Sequence, residues 1–283
     1  MLTAWILAAR PKTLSAAFVP IIVATALASN PDWVIASLAL MASLLIQVGT
    51  NLVNDAIDYE KGADTSTRLG PMRATQSGLL SSIRVMQGAL FAFTLALLVS
   101  IPLMLKGGYP IAALLTAAIL AGYCYTGGPY PLSYLGLGDF FVLLFFGWGA
   151  VGGVYFLQEG NIGFDAFVAG TQVGLLSCVL IGINNLRDVK GDALANKKTL
   201  PVRYGVRFGK FLVLSEILLP FLLLGWWASR SPLAAVLPLL AFPIASWLIV
   251  QLLKEPPSRK YNGFLAVAAL QQVLFGICLA FGL

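Results

Sequence analysis

Nine long apolar runs constrain this chain more than any other feature. They fall at roughly 14–29, 34–53, 84–105, 109–126, 138–157, 164–184, 208–228, 232–253 and 262–282. Each is close to the ~20 residues a helix needs to cross a bilayer. Hydrocarbon offers the backbone no hydrogen-bond partners, so a run of this kind must satisfy its own N–H and C=O groups as a helix. Charged residues make up only 11% of the chain, against ~25% in a soluble domain. The pattern predicts an all-α polytopic membrane protein, one domain over 1–283, with nine transmembrane helices. The first run is short and holds Pro20. Residues 1–12 read as an interfacial helix feeding into it. Residues 14–28 also end like a secretory leader, but eight further apolar runs follow and favour a span.

Basic residues orient the bundle. With the N-terminus inside, 16 of the 18 Lys and Arg lie on interior segments, and only Lys106 and Arg230 lie outside. Cytoplasmic loops carry this excess. The expectation is an integral protein of the cytoplasmic (inner) membrane, with the N-terminus inside and the C-terminus outside. The loops at about 59–83 and 187–207 are then cytoplasmic. The formal charge of +6 is accounted for by these loops and does not call for nucleic acid.

Half of the twelve acids sit in two short stretches, Asn51 to Asp64 and Asn184 to Asp192, each at the end of an apolar run. Asn54 and Asp58 stand four apart, as do Asn184 and Asp188, so each pair shares a helix face. Ordinary solvated loop acids would not need this placement, and ionisable groups at span ends are usually functional. Two such faces meeting at one membrane surface would form an oxygen-rich pocket for a hard cation such as magnesium. Arg68, Arg73, Arg187, Lys190, Lys197 and Lys198 lie nearby in sequence. Acids, a metal and cations together suit a bridged polyanion, with a diphosphate the natural candidate. The chain has no histidine and no Cys-x-x-Cys, which excludes histidine acid–base chemistry and a thiolate metal site. Asp58-x-x-Lys61-Gly62-x-Asp64 also faintly resembles Asp188-x-Lys190-Gly191-Asp192, as a duplicated helix–loop unit would. Tyr123, Tyr125, Tyr130, Tyr134, Phe140, Phe141, Phe145, Phe146 and Trp148 cluster around the fourth and fifth runs. They are interface-belt residues, or the lining of a channel for an apolar tail.

Further stretches make a resemblance specific. They are Arg10-Pro-Lys12-Thr-Leu, Arg68 to Gly78, Tyr125 to Asp139, Phe145-Phe-Gly-Trp148 and Asn196-Lys197-Lys198-Thr-Leu. With the two acidic stretches, in this order, they resemble the UbiA superfamily of intramembrane prenyltransferases. Within it they are most similar to the 1,4-dihydroxy-2-naphthoate polyprenyltransferases of menaquinone synthesis. The last three runs match only as apolar helices.

The resemblance implies nine helices around a central cavity open to lipid, beneath a cap of cytoplasmic loops. It implies magnesium held by Asn54, Asp55, Asp58, Asp64, Asn184, Asp188 and Asp192. Gly62 stands where the family often has a third acid, and Asp64 is the substitute. Lys12, Arg68, Arg73, Arg187 and Lys198 become candidates for diphosphate contact. Asp58 and Asp188 are central to catalysis, and Asp139, Tyr125 and Tyr134 are candidates to orient or deprotonate the acceptor. The implied partners are a polyprenyl diphosphate, 1,4-dihydroxy-2-naphthoate and membrane lipid. Implied too is loss of carbon dioxide, giving demethylmenaquinone. Rival readings are another aromatic acceptor (4-hydroxybenzoate or homogentisate), a phytyl donor, and a cation-coupled transporter. A transporter would need polar groups near the midplane, whereas these acids gather at one surface.

Overall fold

The computed structural model describes residues 2–65 and 68–283, all helix, turn and loop with no strand among them. Ser66 and Thr67, inside the loop expected over 59–83, lie outside the described residues. The main helices are α1 (Leu2–Ala9), α2 (Ser15–Ala26), α3 (Trp33–Glu60), α4 (Ser82–Cys124), α5 (Gly138–Glu159), α6 (Phe164–Leu194), α7 (Val206–Trp226), α8 (Pro232–Lys254) and α9 (Tyr261–Gly282), with a short helical turn at Leu200–Tyr204. The seven from α3 to α9 are each long and apolar enough to cross a membrane. The bent pair Leu2–Thr13 and Ser15–Ala26, 51° apart, makes an eighth candidate.

Helix α4 is 43 residues long, about twice a span. It breaks at Gly108, whose backbone (φ 63°, ψ −153°) is non-helical, with Pro110 just beyond. This break falls between the expected runs 84–105 and 109–126. Inside α5, Leu143–Gly149 widens into a π-helix, a geometry frequent at functional sites. Its Gly147 packs against α6 so closely that a Cβ there would lie 2.6 Å from the Gly170 carbonyl oxygen. Such backbone-to-backbone approach is how small residues join membrane helices.

Helices α3 and α6 end on the same side of the molecule as the turn at residues 10–14, the loop at 68–81 and the loop at 125–137. Side chains described below tie these segments together. Apolar packing holds each in place: Ala4 and Ala8 of α1 bury against Leu52, Val53, Val85 and Ala89 of α3 and α4.

Candidate active site

Two helix ends build the site, and both stop in the same way. Helix α3 is capped just past its end by Gly62, which takes the left-handed backbone (φ 70°) that glycine adopts without steric cost. The Ala63 N–H then donates back to the Asp58 carbonyl at 2.8 Å. Helix α6 ends at Asn196, also left-handed (φ 59°), and the Lys197 N–H donates to the Asp192 carbonyl at 2.8 Å. The cap therefore makes Asp58 the counterpart of Asp192, one turn beyond Asp188. The faint repeat of Asp58 with Asp188 is not a structural one, since Gly191 continues its helix where Gly62 ends one.

In the first motif, Asp58 is buried at 2% exposure. Its oxygens accept from the Tyr134 hydroxyl at 3.0 Å and the Lys197 ammonium at 3.5 Å, with Arg73 at 3.9 Å. The Asn54 amide oxygen accepts from both Arg10 and Arg73, and its NH₂ donates to Thr126 Oγ1 at 2.9 Å. Asp64, turned back by Gly62, pairs with Arg68 at 2.8 Å and Arg73 at 3.2 Å. Burial raises the Asp64 carboxyl to about 6 despite the Arg68 guanidinium beside it. Asp55 is placed differently from the rest. It is fully buried, and its oxygens accept from the Ala74 and Thr75 N–H groups at 3.2 and 3.1 Å. It fastens the 68–81 loop to α3.

In the second motif, Arg187 grips Asp188 through two bonds, Nε–Oδ1 at 2.9 Å and Nη2–Oδ2 at 2.6 Å. Its Nη1 donates to Asn262 Oδ1 at 2.7 Å, and Asn262 donates to the Leu69 carbonyl at 2.9 Å. Arg187 is thus a buried strut joining α6, α9 and the loop, rather than a free cation. Arg68 Nη2 lies 3.5 Å from Asp188, so one guanidinium spans the two motifs through Asp64 and Asp188. Asp192 is buried close to Lys197. Burial alone would lower the Lys197 ammonium, but Asp58, Asp192, Asp64 and Asp188 outweigh it and raise it.

Two expected cations are replaced by their neighbours. Lys12 is exposed on its turn, while Arg10, held left-handed at φ 53°, reaches Asn54. Lys198 is exposed and uses its backbone, donating N–H to the Tyr134 carbonyl at 3.0 Å. Lys197 supplies the ammonium, 5.3 Å from the centre of the Tyr134 ring. Burial, then the Asp58 charge, raises the Tyr134 hydroxyl, and burial, then Asp139, raises that of Tyr125. Both stay neutral donors at physiological pH.

A cavity of about 240 Å³ leads away from these groups. Arg10, Asn54, Tyr125 and Asn184 line its acidic end, and Leu103 and Leu157 its far end. Of the aromatic cluster, Tyr125, Phe141, Phe145 and Phe146 line this cavity. Tyr123, Tyr130 and Phe140 are exposed, and Trp148 stacks on Phe167.

The donors suit a hard divalent cation carrying an anion. All the candidate ligands are carboxylate or amide oxygens, the chemistry magnesium takes. Asp64 Oδ2 and Arg73 Nη1 are buried without hydrogen-bond partners. The Asp64 oxygen is held only by its ion pair with Arg73 Nε at 3.2 Å, and Arg73 Nη1 is an open donor for a phosphate oxygen. Among the described residues, no group of three or more acidic or cysteine side chains is arranged to hold an ion alone. Arg68, Arg73 and Lys197 stand between the carboxylates instead.

Comparison with known proteins shows the family. Residues 17–270 match the UbiA prenyltransferase family. The 1,4-dihydroxy-2-naphthoate octaprenyltransferase of Haemophilus influenzae is 38% identical over 217 residues, covering 73% of this chain and 70% of the relative. The enzyme of the same name from Bacillus subtilis is 27% identical over 259 residues, 90% of this chain and 80% of the relative. A UbiA homologue from Archaeoglobus fulgidus, solved with DMAPP and Mg²⁺, superposes with a TM-score of 0.65 at 13% identity, covering 98% of this chain and 99% of that one. At that identity the likeness speaks for the fold. This chain belongs to the UbiA prenyltransferase family.

Proposed function

We propose that this protein transfers a polyprenyl group from a polyprenyl diphosphate to 1,4-dihydroxy-2-naphthoate, with loss of carbon dioxide, to give the prenylated 1,4-dihydroxynaphthalene, demethylmenaquinol, which oxidises to demethylmenaquinone outside this reaction. The observation that carries the reading is the meeting of two acidic helix ends with Arg68, Arg73, Lys197 and Arg10 over one apolar cavity. The naphthoate as acceptor rests on relatives of that name at 34–38% identity. On this reading α4 crosses twice, once on each side of Gly108, giving nine spans in one domain. The acidic end faces the cytoplasm of an inner membrane, the side favoured by the Lys- and Arg-rich loops around it.

Asp58, Asp64, Asp188 and Asp192, with Asn54 and Asn184, would hold magnesium. When bound, magnesium neutralises charge developing on the diphosphate as the allylic C–O bond breaks. Arg73, through its open Nη1, binds a phosphate oxygen, and Arg68, Lys197 and Arg10 complete the cradle. Binding the anion releases these cations from the carboxylates they now cover. The isoprenoid tail lies along the cavity towards Leu103 and Leu157. Phe141, Phe145 and Phe146 exclude water from the allylic cation and stabilise it with their ring faces. Asp58 keeps the Tyr134 hydroxyl fixed, and Tyr125 faces the acceptor.

Product analysis by mass spectrometry tests this. Protein in lipid receives magnesium, a polyprenyl diphosphate and the naphthoate, with 4-hydroxybenzoate and homogentisate in parallel. A prenylated, decarboxylated naphthalenediol, recovered as its quinone after oxidation by air, is expected from the first acceptor alone. Product from another acceptor alone would overturn the pathway. Silence from all three, with intact protein, would overturn the enzyme reading and favour transport.

A further inference from the structure

Behind the cavity wall lies an acidic pair that no part of the diphosphate site uses. Glu216, midway along α7, is 3% exposed. Its carboxyl lies against that of Asp139 at the start of α5, both facing the same turn of α6 at Cys178 and Gly182. Asp139 Oδ1 and Glu216 Oε2 are buried without a hydrogen-bond partner. Two carboxyls against each other in a buried site need a proton between them. The groups packed around the pair supply no charge. From α6, Gly182 abuts Glu216, where its Cβ would lie 3.4 Å from Oε2. Cys178 donates its thiol to the Asp139 carbonyl at 3.3 Å. From the loop after α4 comes Tyr125.

An acid pair buried in a span is costly and is functional by default. A packing role would be served better by apolar residues of similar volume. The pair also adjoins the place where the acceptor must sit. A Cβ on Gly138, next to Asp139, would lie 3.0 Å from the Tyr125 hydroxyl and 2.8 Å from Ile181 Cδ1. Tyr125 and Ile181 both line the cavity. The proton-sharing pair and the acceptor pocket are thus separated by one tyrosine.

We propose that Glu216 and Asp139 form a one-proton carboxyl pair that takes the acceptor's hydroxyl proton through Tyr125 and then returns it. This rests on the naphthoate reading above. As the ring carbon bearing the carboxylate bonds to the allylic carbon, the allylic C–O bond breaks and its electron pair leaves on the diphosphate. The neighbouring ring hydroxyl becomes a carbonyl and gives its proton to Tyr125, which passes its own to Asp139. The pair then holds two protons. The bond to the carboxylate breaks next, carbon dioxide leaves, and its electron pair restores the aromatic ring as a naphtholate. That oxygen takes the proton back by the same path, so no proton is gained or lost overall. Asp139 serves Tyr125 directly, and Glu216 acts through Asp139 as a positioning residue.

The test is steady-state kinetics of Glu216→Gln and Asp139→Asn in lipid, with the pH profile and solvent isotope effect of the unmodified protein. General acid–base groups contribute ~10²–10⁴-fold. The expected result is a kcat loss on the order of 10²-fold in both variants, with KM for the polyprenyl diphosphate within twofold. The unmodified protein should show a pH-dependent kcat and a solvent isotope effect that shrinks in Glu216→Gln. A Glu216→Gln protein of normal melting temperature and kcat within threefold would overturn the proposal. If that variant fails to fold, a pH-independent kcat with no solvent isotope effect in the unmodified protein would overturn it equally. Turnover of naphthoate by the unmodified protein is the control. Its failure would overturn the functional reading beneath, whereas turnover without these signatures overturns only the relay.

Discussion

The ends of α3 and α6 are built alike and deliver opposite charges. Each stops with a left-handed residue, Gly62 or Asn196, whose successor bonds back to an aspartate carbonyl. After Gly62 the returning chain brings the acid Asp64 to Arg68 and Arg73. After Asn196 it brings the base Lys197 to Asp58. One end therefore presents extra carboxylate and the other presents an ammonium, and the two interlock. A single cap geometry can thus assemble a site that needs both signs, one for a metal and one for a phosphate.

The largest expected effect comes from breaking either end. Asp58→Asn and Asp188→Asn should each lower kcat/KM by about 10³-fold or more while the protein stays folded, since each removes charge that acts on the leaving diphosphate. Near-normal turnover in either would remove that helix end from the site. The next effect separates neighbouring lysines. Lys197→Met should cost about 10²-fold, and Lys198→Met less than threefold, because only the first reaches Asp58. Equal losses would mean that the turn at Asn196 is not what selects the cation.

A pH experiment sharpens the contrast further. The folded protein holds the Asp64 proton more tightly than the unfolded chain does, with the carboxyl raised from 3.8 to about 6. Stability without metal should therefore fall as pH rises from about 4 to about 6. Magnesium needs the ionised form, so its affinity should rise over the same window. Turnover at limiting magnesium should drop roughly tenfold from pH 7 to pH 5 through this group, and Asp64→Asn should lessen the drop. The smallest catalytic effect belongs to Asp55. Asp55→Asn loosens the bonds to Ala74 and Thr75 and should cost about 1–3 kcal/mol of stability, with kcat of the folded fraction within threefold. A large kcat loss at full stability would return Asp55 to the metal.

Much of this architecture was legible from hydropathy and spacing. Every expected apolar run lies within a described helix or at its edge, and Asn54, Asp58, Asp64, Asp188 and Asp192 do gather at one end. The cations were harder to choose. Arg10 over Lys12, and Lys197 over Lys198, depend on single left-handed residues at Arg10 and Asn196, which spacing on a regular helix cannot register. Arg187 looked free because its partner Asn262 lies 75 residues away. Glu216 did leave a signal, as the one acid within the 208–228 run. It lies mid-run, away from the span ends where the paired acids stand.

The central claim is that both helix ends hold one magnesium-bridged diphosphate. Equilibrium binding of a non-reactive thio-analogue of a polyprenyl diphosphate tests it most directly, with and without magnesium, to the unmodified protein, Asp58→Asn and Asp192→Asn. The expected result is tight binding that needs magnesium and weakens about 100-fold or more in each variant. Binding equally tight without magnesium, or unchanged by loss of either aspartate, would contradict the account.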